Sequence, residues 1–215
     1  MLAVQNFRKT YHHQPVLEIP QADFPAGIHW IKGSNGSGKT TFFRSVAGLL
    51  PFEGSLVLDN QHDLRRHPVA YRLRVNYGEA EPIYPDFLTA WELIRWVGAT
   101  KRASTRQTDE LIDLFGIRDF IKTPVGTYSS GMLKKTSLVL AFLGDPTLIL
   151  LDEPLITLDH RTTQTVISHI RQSRQRGISF LLSTHQDVDP AELPVDFTWM
   201  IQHQTLTLLT KAPGQ

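Results

Sequence analysis

The chain has 215 residues, enough for one sizeable hydrophobic core and within the range of a single α/β domain. Its 22 Lys and Arg nearly cancel its 21 Asp and Glu, so no overall field marks a nucleic-acid binder, and the absence of cysteine excludes a disulfide scaffold and a thiolate metal site. No apolar run approaches the ~18 residues of a membrane-spanning helix, and Met1 to Lys9 lack the apolar stretch of a signal peptide, so the cytosol is the expected compartment.

Taken from the N-terminus, apolar runs of strand length at residues 2–7, 16–19 and 28–32 predict the first strands. The doublet His12-His13 falls between the first two. Adjacent side chains point to different faces and no carboxylate cluster accompanies them, so a solvated loop is expected rather than a metal site. Directly after residue 32, Gly33, Ser34, Asn35, Gly36, Ser37, Gly38, Lys39 and Thr40 fit G-x-x-x-x-G-K-[ST]. That pattern answers the needs of a polyanion. Glycines let the backbone turn tightly and aim its N–H groups inward, Lys39 reaches the β- and γ-phosphates of a nucleoside triphosphate, and the Thr40 hydroxyl is a ligand for Mg²⁺. From Thr41 to Leu49 apolar residues recur at helical spacing, ending before Pro51, so a helix dipole adds about half a positive charge at the same place.

Further strands are expected at residues 55–58 and 74–77. The basic residues Arg65, Arg66, Arg72 and Arg74 around them are expected to form solvated faces. From Thr89 to Leu143 the spacing turns helical, with Trp91, Leu93, Ile94 and Val97 in one segment and Leu111, Ile112, Leu114 and Phe115 in another. A helical insertion over about residues 86–145 then separates two halves of a sheet. Trp91 and Trp96 are expected to pack in the core, a partner surface being the alternative. Residues 147–151 are apolar throughout, as suits a parallel strand buried on both faces, and they run into Asp152 and Glu153. Adjacent acids at a strand end divide their labour: Asp152 holds Mg²⁺ and Glu153 polarises the attacking water. Strands at 178–183, 198–201 and 205–209 complete an α/β pattern.

The stretch Tyr128, Ser129, Ser130, Gly131, Met132, followed by Leu133, Lys134, Lys135, a helical segment, Asp145-Pro146 and the acidic strand, resembles the signature region of the ABC ATPase family, whose usual form is L-S-G-G-Q. Thr157, Leu158 and Asp159 resemble that family's D-loop, and His185 its switch histidine. The resemblance covers nearly the whole chain. It implies a single domain over residues 1–215, with a phosphate-loop NTPase core on a mixed sheet, an antiparallel N-terminal β-subdomain and an inserted helical subdomain.

The same resemblance implies roles. Gly33 to Thr41 bind ATP, Tyr11 stacks on adenine, and Thr40 and Asp152 hold Mg²⁺, while Glu153 and His185 act in hydrolysis. Ser129, Ser130, Gly131 and Met132 would meet the γ-phosphate held by a second ATPase subunit, and Asp159 would link to His185 across that two-fold, homodimeric interface. Ser130 replaces the first signature glycine, which is tolerable only if its backbone avoids φ > 0. Met132 replaces the usual glutamine. The Q-loop glutamine is absent too, with Glu79 its first equivalent and Glu81 the alternative; a carboxylate there remains able to approach Mg²⁺. Tyr84 to Thr89 resembles the exporter branch. The expected partners are transmembrane transporter subunits, with the chain peripheral at the cytoplasmic face of the membrane. The alternative is a soluble ABC ATPase serving a cytosolic assembly; no nucleic acid is expected in either case.

Overall fold

The computed structural model describes residues 1–12, 14–184 and 192–211. Two strands, β1 (Leu2–Tyr11) and β2 (Gln14–Phe24), pair antiparallel in a register that runs from Leu2 opposite Phe24 to Tyr11 opposite Gln14. Alternation points Leu2 and Val4 inward. At Asn6 the backbone takes φ 48°, the ladder to the neighbouring strand shifts between Gln5 and Arg8, and Phe7 turns to the core in its place. An extra residue of this kind is how a bulge re-aims a strand. The strand β4 (Glu53–Leu58) lies on the other side of β1, and the short β5 (His62–Asp63) follows it, giving a four-stranded antiparallel sheet in the order β2-β1-β4-β5.

A second sheet carries β3 (Ile28–Lys32), β6 (Val75–Gly78), β7 (Leu148–Asp152), β8 (Ser179–Ser183), β9 (Phe197–Gln202) and β10 (Thr205–Lys211) in the order β10-β9-β3-β8-β7-β6. All pairings are parallel except that of β9 with β10. The expectation for the continuous apolar run holds: all five residues of β7 are buried, Leu148 and Leu150 in a core shared with the first sheet and Ile149 and Leu151 in a second core shared with helices. The helix α1 (Lys39–Val46) fills the first core with Phe42, Phe43 and Val46. Phe42 meets Phe7 edge-on at 5.7 Å and stacks against Phe24 at 6.1 Å. The helix ends at Val46, short of the expected Leu49, because the chain turns there and the Leu49 N–H returns to Arg44 O at 2.8 Å.

A short helix, α2 (Pro68–Arg74), buries only Tyr71 and so shows no apolar stripe in the sequence. Between β6 and β7 come α3 (Ala90–Lys101), α4 (Thr105–Leu114), a 3₁₀ turn (Val125–Thr127) and α5 (Ser130–Phe142). Because β6 and β7 are neighbours, the helical stretch loops out from between adjacent strands instead of dividing the sheet into halves. A capping box starts α3: Thr89 Oγ1 accepts from Glu92 N–H at 3.2 Å and Glu92 Oε2 from Thr89 N–H at 2.8 Å. Ser129 caps α5 by accepting from Met132 N–H at 3.3 Å. At the other end Asn76 of β6 donates to Ala141 O and Leu143 O, both at 2.8 Å, satisfying carbonyls that a helix terminus leaves open. The last helix, α6 (His160–Gln175), presents Val166, Ile167 and Ile170 to the second core beneath an otherwise polar sequence, and that polarity hides it from a reading of composition. Among the described residues no helix is long and apolar enough to cross a membrane.

Candidate functional site

The phosphate-loop motif sits where its pattern places it, between β3 and α1 at the carboxyl end of the parallel strands. Gly38 is the N-cap of α1 with φ 105°, and a Cβ there would lie 3.0 Å from Leu17 Cγ, so the loop closes against β2 only with glycine. Lys39 is buried and folds back to donate from Nζ to Gly33 O at 2.8 Å and Ser34 O at 3.1 Å. Burial lowers its pKa, while Glu153 and Asp152 pull it back up. Thr40 Oγ1 donates to Asp152 Oδ2 at 2.7 Å, joining residues 112 apart in sequence. They meet because β7 lies beside β8, β8 beside β3, and α1 follows β3. Asp152 Oδ1 accepts from Ser183 Oγ, and the Tyr77 hydroxyl reaches Oδ2 at 3.4 Å. A hydroxyl and a carboxylate at one spot make an all-oxygen donor pair that suits a small hard cation. No cluster of three or more His, Cys, Asp or Glu forms a metal centre among the described residues.

Beside this loop opens a cleft of about 680 Å³, lined by Tyr11, Val16, Asn35 to Thr41, Arg44, Tyr77, Ala80, Glu81, Ile83, Glu153 and Ile156. Its size falls in the roughly 300–1,000 Å³ range of ligand pockets. Tyr11 and Val16 come from the two strands of one hairpin, and the Lys9 ammonium lies 4.7 Å over the Tyr11 ring. Glu153 follows β7 with φ 49°, its N–H shared between Ser183 O and Ser183 Oγ, each at 3.1 Å. A basic loop, a hydroxyl–carboxylate pair, a second carboxylate and an exposed aromatic ring thus converge on one cleft.

The family model of the ABC transporter matches residues 23–156, which contain the loop and both acids. This chain belongs to the ABC transporter family. It is 34% identical over 191 residues to the cytochrome c biogenesis ATP-binding export protein CcmA of Legionella pneumophila, covering 87% of this chain and 94% of that one. Over 162 residues it is 33% identical to the ABC transporter ATP-binding protein NatA of Bacillus subtilis, covering 72% of this chain and 65% of NatA. In fold it is similar to a solved ATP-binding subunit of an ABC transporter, with TM-score 0.85 and 24% identity over 97% of this chain and 90% of that one. The dimeric cassette MJ0796 matches with the same TM-score at 19% identity over the whole of both chains. The chain is therefore the ATP-binding subunit of an ABC transporter and an ATPase.

In this ABC ATPase the signature residues stand apart from the cleft. Ser129 and Ser130 are exposed, and none of Ser129, Ser130, Gly131 and Met132 lines the nucleotide cleft. Ser130 is the first residue of α5 and is not in the left-handed region, the condition its replacement of glycine required. Gly131 packs closely, since a Cβ there would lie 3.1 Å from Thr157 O. Asp159 caps α6 by accepting from Thr162 N–H at 2.8 Å, and it lies 3.6 Å from Lys135 Nζ. His185 lies outside the described residues. The two acids proposed for the Q-loop face different ways: Glu79 sits 3.6 Å from Arg44 and lines a neighbouring groove, whereas Glu81 lines the cleft.

That groove, about 470 Å³, is mostly apolar and is walled by residues that include Leu49, Val69, Leu73, Tyr84, Val97 and Leu140. Here the expectation for the tryptophans is corrected. Trp96 is 71% exposed and Trp91 36%, because the inward stripe of α3 is Ala90, Leu93, Ile94 and Gly98, which leaves Trp96 on the outer face. Arg65, Arg66, Arg72 and Arg74 are exposed as expected, and His12 lies exposed in the hairpin turn; His13 is outside the described residues.

Several site residues escaped the sequence reading. Arg44 was within reach of it, standing one helical turn beyond Thr40 on the same face of α1. Val16 and Tyr77, which line the cleft, and Ser183, which holds Asp152 and the Glu153 N–H, had no local signal because strand packing places them, and Ile83 and Ile156 reach the cleft from loops whose course only the fold decides.

Proposed function

We propose that this subunit drives export through a membrane partner by closing, with a second copy of itself, around two ATP molecules. The observation that carries the reading is the separation of two elements: the phosphate loop lines the cleft, while the exposed residues Ser129 and Ser130 at the capped start of α5 do not. A helix start of that kind attracts phosphate, and a second subunit supplies the phosphate that its own cleft does not. Tyr11 stacks on adenine, Lys39 and the loop amides hold the triphosphate, and Asp159 and His185 act at the subunit interface. Thr40 and Asp152, together with Glu79 or Glu81, are the residues that would hold Mg²⁺. When bound, that ion neutralises charge on the β- and γ-phosphates. Glu153 accepts the proton of the attacking water, its backbone held by Ser183.

Export is supported by the printed name of the Legionella relative and by the Tyr84–Thr89 stretch. The apolar groove and the exposed Trp96 support docking of transmembrane subunits at the cytoplasmic face of the membrane. The near-neutral charge balance supports the absence of a nucleic-acid partner. The test is Glu153→Gln. It keeps ATP affinity, abolishes turnover, and accumulates an ATP-dependent dimer in size-exclusion chromatography. Wild-type turnover in this variant removes Glu153 from its role, and a monomer at saturating ATP removes the closure.

A further inference from the structure

Lys134 stands in the second turn of α5, 2% exposed, with no role assigned above. Its Nζ donates to Glu79 O at 2.9 Å, Ala80 O at 2.8 Å and Asp152 O at 3.2 Å. Three N–H donors meet three backbone carbonyls, so the ammonium is fully used. Burial lowers its pKa to about 8, and the charges of Asp152, Glu153, Glu81 and Glu79 oppose part of that shift. A lysine is a costly way to fill a core, since apolar side chains of similar volume do so without desolvating a charge. What the ammonium adds is direction, toward two segments of the nucleotide cleft.

The third acceptor decides which function this serves. Asp152 O belongs to the peptide whose N–H is that of Glu153, and that N–H is held at its other end by Ser183. Glu153 has φ 49°, a left-handed conformation that residues other than glycine adopt only where their surroundings hold them. The angle φ is the rotation between this peptide plane and the Glu153 Cα. Gripping the plane at both ends therefore sets the direction of the N–Cα bond about which φ turns, and with it the place of the Cα from which the Glu153 side chain leaves the backbone. The same ammonium grips the carbonyls of Glu79 and Ala80, where the chain passes from the groove-facing Glu79 to the cleft-facing Glu81.

We propose that Lys134 is a positioning residue for ATP hydrolysis: from the helix that carries the signature, it locks the Asp152–Glu153 peptide and the Glu79–Ala80 segment into the one arrangement in which Glu153 addresses the attacking water. The inference rests on the reading of Glu153 as the hydrolytic base. It also makes α5 a rigid link, with its exposed phosphate-seeking end at Ser129 and its grip on the base at Lys134.

The test compares Lys134→Met, which has no donor, with Lys134→Gln, whose amide N–H₂ serves two of the three carbonyls. In steady-state ATPase assays of the full chain, kcat falls by about ten- to a hundredfold for the methionine variant and by less for glutamine. KM and the affinity for a fluorescent ATP analogue stay within about twofold of wild type in both. In a Glu153→Gln background, where steady-state turnover is lost, Lys134→Gln leaves the slow residual hydrolysis of bound ATP, followed over hours under single-turnover conditions, unchanged, because the lysine acts through the residue already removed. An unchanged kcat in folded Lys134→Gln overturns the proposal, and so does a rise in KM that matches the fall in kcat or an additive loss in the double variant. Should Lys134→Met not fold, the glutamine variant carries the comparison. Failure of the underlying reading is distinct: there Glu153→Gln itself turns over at the wild-type rate.

Discussion

Acid should loosen this protein in part through the buried imidazole of His29. His29 of β3, 0% exposed, accepts at Nδ1 from Trp199 Nε1–H at 3.0 Å and donates from Nε2–H to Pro25 O at 2.8 Å. Its ring stacks on Phe197 at 4.7 Å and meets Phe24 edge-on at 5.3 Å. Both nitrogens are used by the neutral tautomer, and a second proton at Nδ1 sets a donor against the Trp199 N–H inside the buried core. Burial lowers its pKa from 6.5 to about 4, with the contact to Pro25 O and the charge of Asp196 opposing the shift. A histidine depressed on folding contributes stability that is complete above the unfolded value of 6.5, is lost as pH falls toward 4, and is gone below it. The whole contribution is about 3 kcal/mol, and about 2 kcal/mol of it has gone at pH 5. Urea unfolding at pH 7.5 and pH 5 measures it directly. His29→Gln offers one donor and one acceptor but does not titrate, so its loss between these two pH values should be smaller than that of wild type by about 2 kcal/mol. His169, also lowered to about 4 by burial and Arg176, loosens both proteins alike and cancels in the difference. Equal losses in the two proteins would refute the reasoning.

Three further substitutions probe other parts of the structure. Lys39→Ala removes two charge-assisted bonds within the loop and the cation facing the phosphates, so nucleotide affinity should fall by about ten- to a hundredfold in equilibrium binding; unchanged affinity contradicts the loop's role. Trp96→Ala should leave the unfolding free energy within about 0.5 kcal/mol of wild type, because the side chain is exposed. The same variant should lose co-purification with its membrane partner from detergent, as truncated aromatic hot spots cost about 2 kcal/mol or more. Thr89→Ala breaks the capping box of α3 and should destabilise the chain by about 1 kcal/mol in denaturant titration, with little effect on nucleotide binding.

The phosphate loop was legible from the chain alone because its chemistry is local. Gly33 to Thr40 bend, cap and accept the Lys39 ammonium within eight consecutive residues, so neighbours in sequence are neighbours in space. The strands were legible for a similar reason, since a period of two or an unbroken apolar run is written residue by residue. Ser129 as a helix cap, and the acids ending β7, followed from the same short-range rules. What surrounds these elements obeyed no local rule. Thr40 finds Asp152, and Lys134 finds the Glu153 peptide, only because strands distant in the chain lie side by side. Trp96 looked like core by residue type and became surface because helix rotation is set by the whole face of α3, not by one side chain. Glu79 and Glu81 are chemically alike, and the two-residue step that turns one to the groove and the other to the cleft is a property of packed walls. Contacts closed by short loops leave a trace in the sequence; contacts closed across a sheet are decided by which strands share hydrogen bonds, and one-dimensional spacing carries no record of that.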